Sequence, residues 1–199
     1  MTSSAWAAQT LADQETGTAF EHLIGSLRGL QDSVTSTRPP AEVALAIAAE
    51  LRAVAHRLDE FGVGEADQLA GAQMDYPGRS QACVPVLDHT AQSADEVRGT
   101  LQLSRFHLGR NGAAHGGVIP LVFDEIFGRL AGTDRPRCRT AFLHVDYREI
   151  TPIGRRLDFT GRVERVDGRK IFVTGSLADG DAVVAEADAL FVVLREGQP

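Results

Sequence analysis

The chain has 199 residues, enough for one domain or one domain with an extension, and its 43% hydrophobic and 24% charged residues are the make-up of a globular protein. A net charge of −7 argues against a nucleic-acid partner, since phosphate binding needs a basic face. No run approaches the ~20 apolar residues of a membrane span, and Cys83 and Cys138 are too few and too far apart for a disulfide framework or a zinc site.

Met1 to Ala12 has neither a basic start nor an apolar signal core, which predicts a cytoplasmic protein, and it shows no periodic pattern. From Asp13 to Ser33, Phe20, Leu23, Ile24, Leu27 and Leu30 recur at helical spacing. Pro39-Pro40 stops that pattern. A second helix is predicted over Ala41 to Glu60, with Val43, Ile47, Leu51, Val54, Leu58 and Phe61 as its stripe. Two amphipathic helices with a short link predict a hairpin packed on something larger. His22 and His56 lie on it with no partner set and read as surface or packing residues. Gly71 to Ser80 is the candidate linker, so residues 1–80 read as an extension and 81–199 as the core domain.

Beyond residue 80 the period becomes that of strands. Gln81 to Val86 reads as a short edge strand because of Pro85. Glu96 to Ser104 alternates, with Val97, Gly99, Leu101 and Leu103 on one face. A helix apolar on nearly every side follows, from about Gly117 to Ala131. Four more strands are predicted over Arg139 to Tyr147, Leu157 to Val166, Lys170 to Leu177 and Ala182 to Leu194. Asp167-Gly168 and Asp179-Gly180 mark tight hairpins, which make the neighbours antiparallel. The expected fold is α+β: a curved antiparallel sheet of five to six strands wrapped around the central helix, with the helical hairpin attached.

That central helix carries two acids. Glu125 stands four residues before Arg129, the favourable order for an ion pair. Asp124 has Gly128 at the matching position and so lacks a partner on its own helix. A carboxylate in apolar surroundings is costly unless it is bonded to a neighbour or has a chemical task, such as general base or nucleophile. Ahead of it, Asn111-Gly112 and His115-Gly116-Gly117 form a glycine-rich turn at the helix start. Free amides and the helix dipole there suit a carbonyl oxygen that gains negative charge during acyl transfer.

With these residues in place, the sequence resembles the hotdog-fold acyl-CoA thioesterases of the PaaI-like and Them types. The resemblance covers about Gly99 to Leu194. It rests on His115-Gly116-Gly117 with Asp124, on Arg139 to Tyr147, on Thr151-Pro152-Ile153-Gly154, on Asp167-Gly168-Arg169-Lys170 and on Ala185 to Phe191. Them-type members pair the helix Asp with a Thr sixteen residues later, where Thr140 stands. The chain departs from many PaaI-like members by Gly109 in place of an Asn six residues before the His, with Asn111 displaced by two.

The resemblance implies hydrolysis of an acyl-CoA to a carboxylate and CoA without metal or organic cofactor. Asp124 would be base or nucleophile, Thr140 would orient water, and His115 with the Gly117 amide would polarise the carbonyl. Asn111, Gly112 and Gly116 would line the substrate, and Arg169 and Lys170 would meet CoA phosphates. By strand alternation His144 shares a face with Thr140, which makes it a groove residue or, equally, a core or interface histidine. The family implies a homodimer or dimer of dimers with the site at the interface between subunits. Two rival readings are a non-catalytic acyl-CoA-binding or regulatory protein and a hotdog dehydratase or hydratase.

Overall fold

The computed structural model describes residues 13–198; the aperiodic lead over Met1 to Ala12 lies outside them. Helix α1 (Gln14–Thr35) begins where the Asp13 carboxylate accepts the Thr16 amide at 2.8 Å, satisfying one of the orphan donors of a helix start. Pro40 then caps α2 (Ala41–Asp59). Only α1 docks on the core. Ile24 is buried, Arg28 donates to the Pro77 and Gln81 carbonyls, and the Asp32 carboxylate accepts the Phe106 amide at 2.7 Å. Helix α2 has no buried residue, so the expectation that the whole hairpin packs on something larger holds for α1 alone within one chain.

The connecting stretch from Gly71 to Ser80 is docked rather than free. Ser80 and Gln73 are buried and hydrogen-bonded to one another, and Ser80 also donates to Glu21 on α1. The strand expected over Gln81 to Val86 is irregular chain instead. Pro85 brings no amide to a ladder, and the Gln81 carbonyl is taken by Arg28. The edge strand β1 starts one residue later (Leu87–Gln92).

Strands β2 (Glu96–Gln102), β5 (Cys138–Tyr147), β6 (Arg156–Asp167), β7 (Lys170–Asp179) and β8 (Ala182–Val193) join β1 in one antiparallel sheet of order β1-β2-β6-β7-β8-β5. The two aspartate–glycine hairpins form as expected, with Gly168 at φ 57° and Gly180 at φ 62°. A separate small hairpin, β3 (Leu108–Arg110) and β4 (Ala113–Ala114), turns at Asn111 (φ 53°) and Gly112 (φ 78°). Positive φ at both positions is the primed-turn geometry that Asn-Gly favours.

Helix α3 (Val118–Gly132) lies on the face of the sheet lined by Leu101, Phe159, Ile171 and Phe191. None of its residues is exposed. Gly161 and Gly175 stand opposite one another beneath it. A Cβ on Gly175 would come 2.7 Å from the Phe127 ring and would also strike the Thr160 carbonyl; one on Gly161 would meet Val97 at 2.9 Å and Ile126 at 3.2 Å. These absent side chains are the seat that lets helix and sheet close on each other. The fold is thus an α+β hotdog, one buried helix on a six-stranded antiparallel sheet.

The seat gives a ranked expectation. Gly175→Ala should lower stability by about 1–3 kcal/mol, the usual range for overpacking, whereas Gly161→Ala meets movable side-chain ends and should cost less. Urea denaturation of both variants measures the difference; equal costs would count against it.

Candidate active site

Helix α3 starts at Gly117, and Pro120 occupies an early position where a missing amide removes no helical bond. Its buried residues Ile119, Val122, Phe123, Ile126, Phe127 and Leu130 face the sheet. Asp124 and Glu125 stand between these positions and are half-buried, on flanks about 100° apart around the axis.

Asp124 meets β5. The Thr140 hydroxyl donates to Asp124 Oδ1 at 2.8 Å, linking α3 to one of the two edge strands of the sheet. Plain alternation would put His144 on the same side as Thr140. It does not, because the register of β5 against β8 slips between Thr140 and Phe142. This bulge holds Thr140 opposite Phe191, on the helix side, while His144 is opposite Asp188, on the outer face. There the His144 ring lies 3.1 Å from Asp188 and 3.8 Å from Asp146. His144 as a groove residue beside Thr140 is therefore a misreading, caused by one extra residue in the strand.

The glycine-rich turn is held from several sides. The Ala114 amide donates to Thr151 and the Ile153 amide to Gly112, which fastens the turn to the Thr-Pro-Ile-Gly stretch. The His115 amide donates to the His107 carbonyl, and His107 Nδ1 in turn accepts the Ser104 amide at 3.0 Å. The Gly117 amide, expected to face substrate, donates instead to His115 Nδ1 at 3.0 Å. With Nδ1 accepting, the neutral ring carries its proton on Nε2. Among the described residues, nothing in the protein accepts the Gly116 amide, and Tyr147 donates to the Gly116 carbonyl at 2.7 Å. Tyr147 lies within the strand that suggested the family, yet no spacing rule singled it out.

A family model of the thioesterase superfamily matches residues 111–186, the span that contains the turn, α3 and Thr140. A solved thioesterase superfamily protein, RHA08564, superposes with a TM-score of 0.73 at 28% identity over 87% of this chain and 90% of that one. Residues 111–186 thus match the thioesterase superfamily, and the chain is similar over most of its length to a solved protein of that family. Over 88 residues it is 34% identical to the acyl-coenzyme A thioesterase THEM4 of Xenopus laevis, and over 93 residues 29% identical to that of Rattus norvegicus. The matched segments are 43% and 46% of this chain and 40% of each relative. The protein smu.793 of Streptococcus mutans, solved with acetyl CoA, shares the fold at a TM-score of 0.52 and 22% identity, covering 54% of this chain and 88% of its own.

In the same domain Glu125 is paired, but not with Arg129. Arg79 grips it from the connecting stretch through two bonds, Nε to Oε2 at 2.9 Å and NH2 to Oε1 at 2.6 Å. Arg129 turns instead to Gln92. Helical spacing identified an available cation on the same face, but a closer one arrived from forty-six residues away. A cavity of about 390 Å³ opens on this flank, lined by Tyr76, Arg79, Leu87, His89, Glu125 and Arg129; it lies away from Asp124. Burial, then the nearby Arg129, holds the His89 pKa below its ordinary value.

The hairpin cations sit at the sheet end nearest Thr140. Arg169 donates to the Val193 carbonyl at 2.8 Å. Lys170 is opposite Val192, which is opposite Arg139, so register brings these two cations to one outer face. Arg139 was not singled out by the sequence motifs. Among the described residues, no group of three or more His, Cys, Asp or Glu side chains has metal-binding proximity.

Removing the Arg79 side chain leaves a half-buried carboxylate unpaired. Arg79→Ala should cost about 1.5–3 kcal/mol, and Arg79→Lys should recover only part, since an ammonium does not reproduce the two-pronged grip. Urea midpoints of the three proteins check the order.

Burial also keeps the His107 pKa below its ordinary value, against the opposing pull of Asp32. The unfolded chain then binds that proton more readily, so stability is complete above about pH 6.5 and declines as pH falls through the lowered value. Between pH 7.5 and 5.5 the wild type should lose more stability than His107→Gln; parallel losses would refute the assignment.

Proposed function

We propose that this chain hydrolyses acyl-CoA thioesters to a free carboxylate and CoA, with Asp124 as general base or nucleophile. The observation that carries the reading is the Thr140–Asp124 hydrogen bond of 2.8 Å from strand to helix. It fixes the carboxylate through Oδ1 and leaves Oδ2 for chemistry. The Thr140 hydroxyl, having given its one proton to Asp124, keeps lone pairs that can accept from a water.

In the base form of the reaction, Asp124 takes a proton from that water as its oxygen adds to the thioester carbonyl. The tetrahedral intermediate collapses, the C–S bond breaks, and the CoA sulfur leaves and regains a proton. In the nucleophile form, the carboxylate attacks the carbonyl first, the C–S bond breaks as the CoA sulfur leaves and takes a proton, and water then cleaves the resulting anhydride to the free acid and Asp124. Both need a donor for the developing oxyanion. Gly117 is a poor candidate because its amide is already taken by His115. The Gly116 amide and the His115 Nε2 proton fit the task better, with Tyr147 holding the Gly116 peptide from its carbonyl side.

A geometric argument adds a second copy. Seven helical residues separate Gly117 from Asp124, about 10 Å along the axis, too far for both to serve one carbonyl. The half-site of one copy therefore faces the complementary half-site of another, in a homodimer or a dimer of dimers, with Asp124 and the glycine turn acting on one substrate from different subunits. Asn111 and Gly112 would border the substrate beside the turn, and Arg139, Arg169 and Lys170 supply positive charge for the CoA phosphates.

Asp124→Asn and Asp124→Ala should lower thiol release from acyl-CoA by about 10²–10⁴-fold, the span of a lost general base, with an unchanged circular dichroism spectrum. Thr140→Val should cause a smaller loss. Unaltered turnover in the Asp124 variants, or binding of acyl-CoA by the wild type with no thiol released across a substrate panel, would sink the proposal.

A further inference from the structure

We infer that α2 is an association helix whose occupant is the α2 of a second copy, lying antiparallel across a two-fold axis. The helix runs 19 residues without a single buried one. Helices in proteins draw most of their stability from packing an amphipathic face, so an element this regular calls for a covering surface. Most of the apolar side chains share one face: Ile47, Leu51, Val54 and Leu58 follow the alternating four- and three-residue spacing of a coiled-coil seam, extended by Ala44 before them and Phe61 just beyond the C-cap, with Val43 beside the seam and Leu45 off it. The four central ones are 38–48% exposed and Phe61 is 75% exposed.

The seam is self-complementary when two copies run in opposite directions. Setting Leu51 against the partner's Val54 places Ile47 on the partner's Leu58 and Ala44 on the partner's Phe61. Each layer then joins a larger residue to a smaller or matching one, and the two-fold repeats every layer in reverse. The same register puts Glu50 beside the partner's Arg57 on one flank, and Arg57 beside the partner's Glu50. Ala48 and Ala55 meet on the other flank, where small side chains let the backbones approach. A parallel pairing would instead set Glu50 against the partner's Ala55 and Arg57 against the partner's Gly62, with no ion pair. Charge and size complementarity both select the antiparallel two-fold, and the contact is independent of the proposed function because, among the described residues, no hydrogen bond or ion pair joins α2 to Asp124, Thr140 or the glycine turn.

Sedimentation of the full chain tests this. Glu50→Arg faces an arginine with an arginine twice per contact, and should weaken association of the copies by about tenfold or more. Adding Arg57→Glu reverses both charges and should restore it. In a Cys83→Ser/Cys138→Ser background, Ile47→Cys with Leu58→Cys should give a disulfide-linked dimer on mild oxidation. The two cysteines are eleven residues apart on one helix and cannot join within a chain. Neither single variant should link. A wild-type monomer, a charge-reversed chain that associates like wild type, or efficient linking by Ile47→Cys alone, the mark of a parallel pair, would each overturn the inference.

Discussion

A helix without a polar face must be enclosed, and the enclosure of α3 is the constraint on which the rest of the domain depends. Eight of its fifteen residues are buried and the others half-covered. One twisted sheet cannot surround such a helix, but it can approach closely on one side where its own side chains are missing. Gly161 and Gly175 provide that approach, opposite each other on adjacent strands. The connecting stretch and α1 cover one flank. The remaining flank, toward β5, carries Asp124, and there the covering is thinnest: Thr140 is exposed and β5 is an edge. The proposed chemistry falls where the single chain is least complete.

That incompleteness has a direct physical meaning. An edge strand offers unpaired amides and carbonyls to another chain, and β5 is ten residues long. The turn at His115 and the carboxylate at Asp124 sit at separate heights on one helix, so neither is a whole site by itself. Polar ties, rather than apolar packing, set the turn: Tyr147 on the Gly116 carbonyl, His107 beneath the His115 amide, Thr151 beneath Ala114. Each comes from a different element, which fixes the peptide planes that would face a substrate carbonyl.

Much of this was legible in residue order. Period 2 marks β2, β6, β7 and β8 to within a residue or two, since their inner residues are apolar and their outer ones charged. The all-round apolar run marks α3, and aspartate–glycine marks both hairpin turns. Local rules failed where distant chain decided the outcome. The bulge at Ala141 has no signature in composition, yet it reverses the face of everything on one side of it and moves His144 off the Asp124 flank. Arg79 reaches Glu125 only because the connecting stretch folds back, with Arg79 at φ 56°. The Gly117 amide seemed free because a helix start usually is; the adjacent imidazole captured it. The Asp124–Thr140 contact was foreshadowed by family spacing, and no propensity argument would have found it.

The two neighbouring acids of α3 have a mechanical consequence. Apolar packing has little directional preference, so a greasy cylinder on a glycine seat is free to settle at more than one azimuth. Asp124 is tied on one side to Thr140 and Glu125 on the other to Arg79, like two stays on a mast. Together they set the rotational phase of the helix, and one stay is anchored in the stretch that sequence order made look like a spacer. The stretch before the core is therefore part of what orients the carboxylate: slackening it would let Asp124 turn away from Thr140 while leaving the core packed.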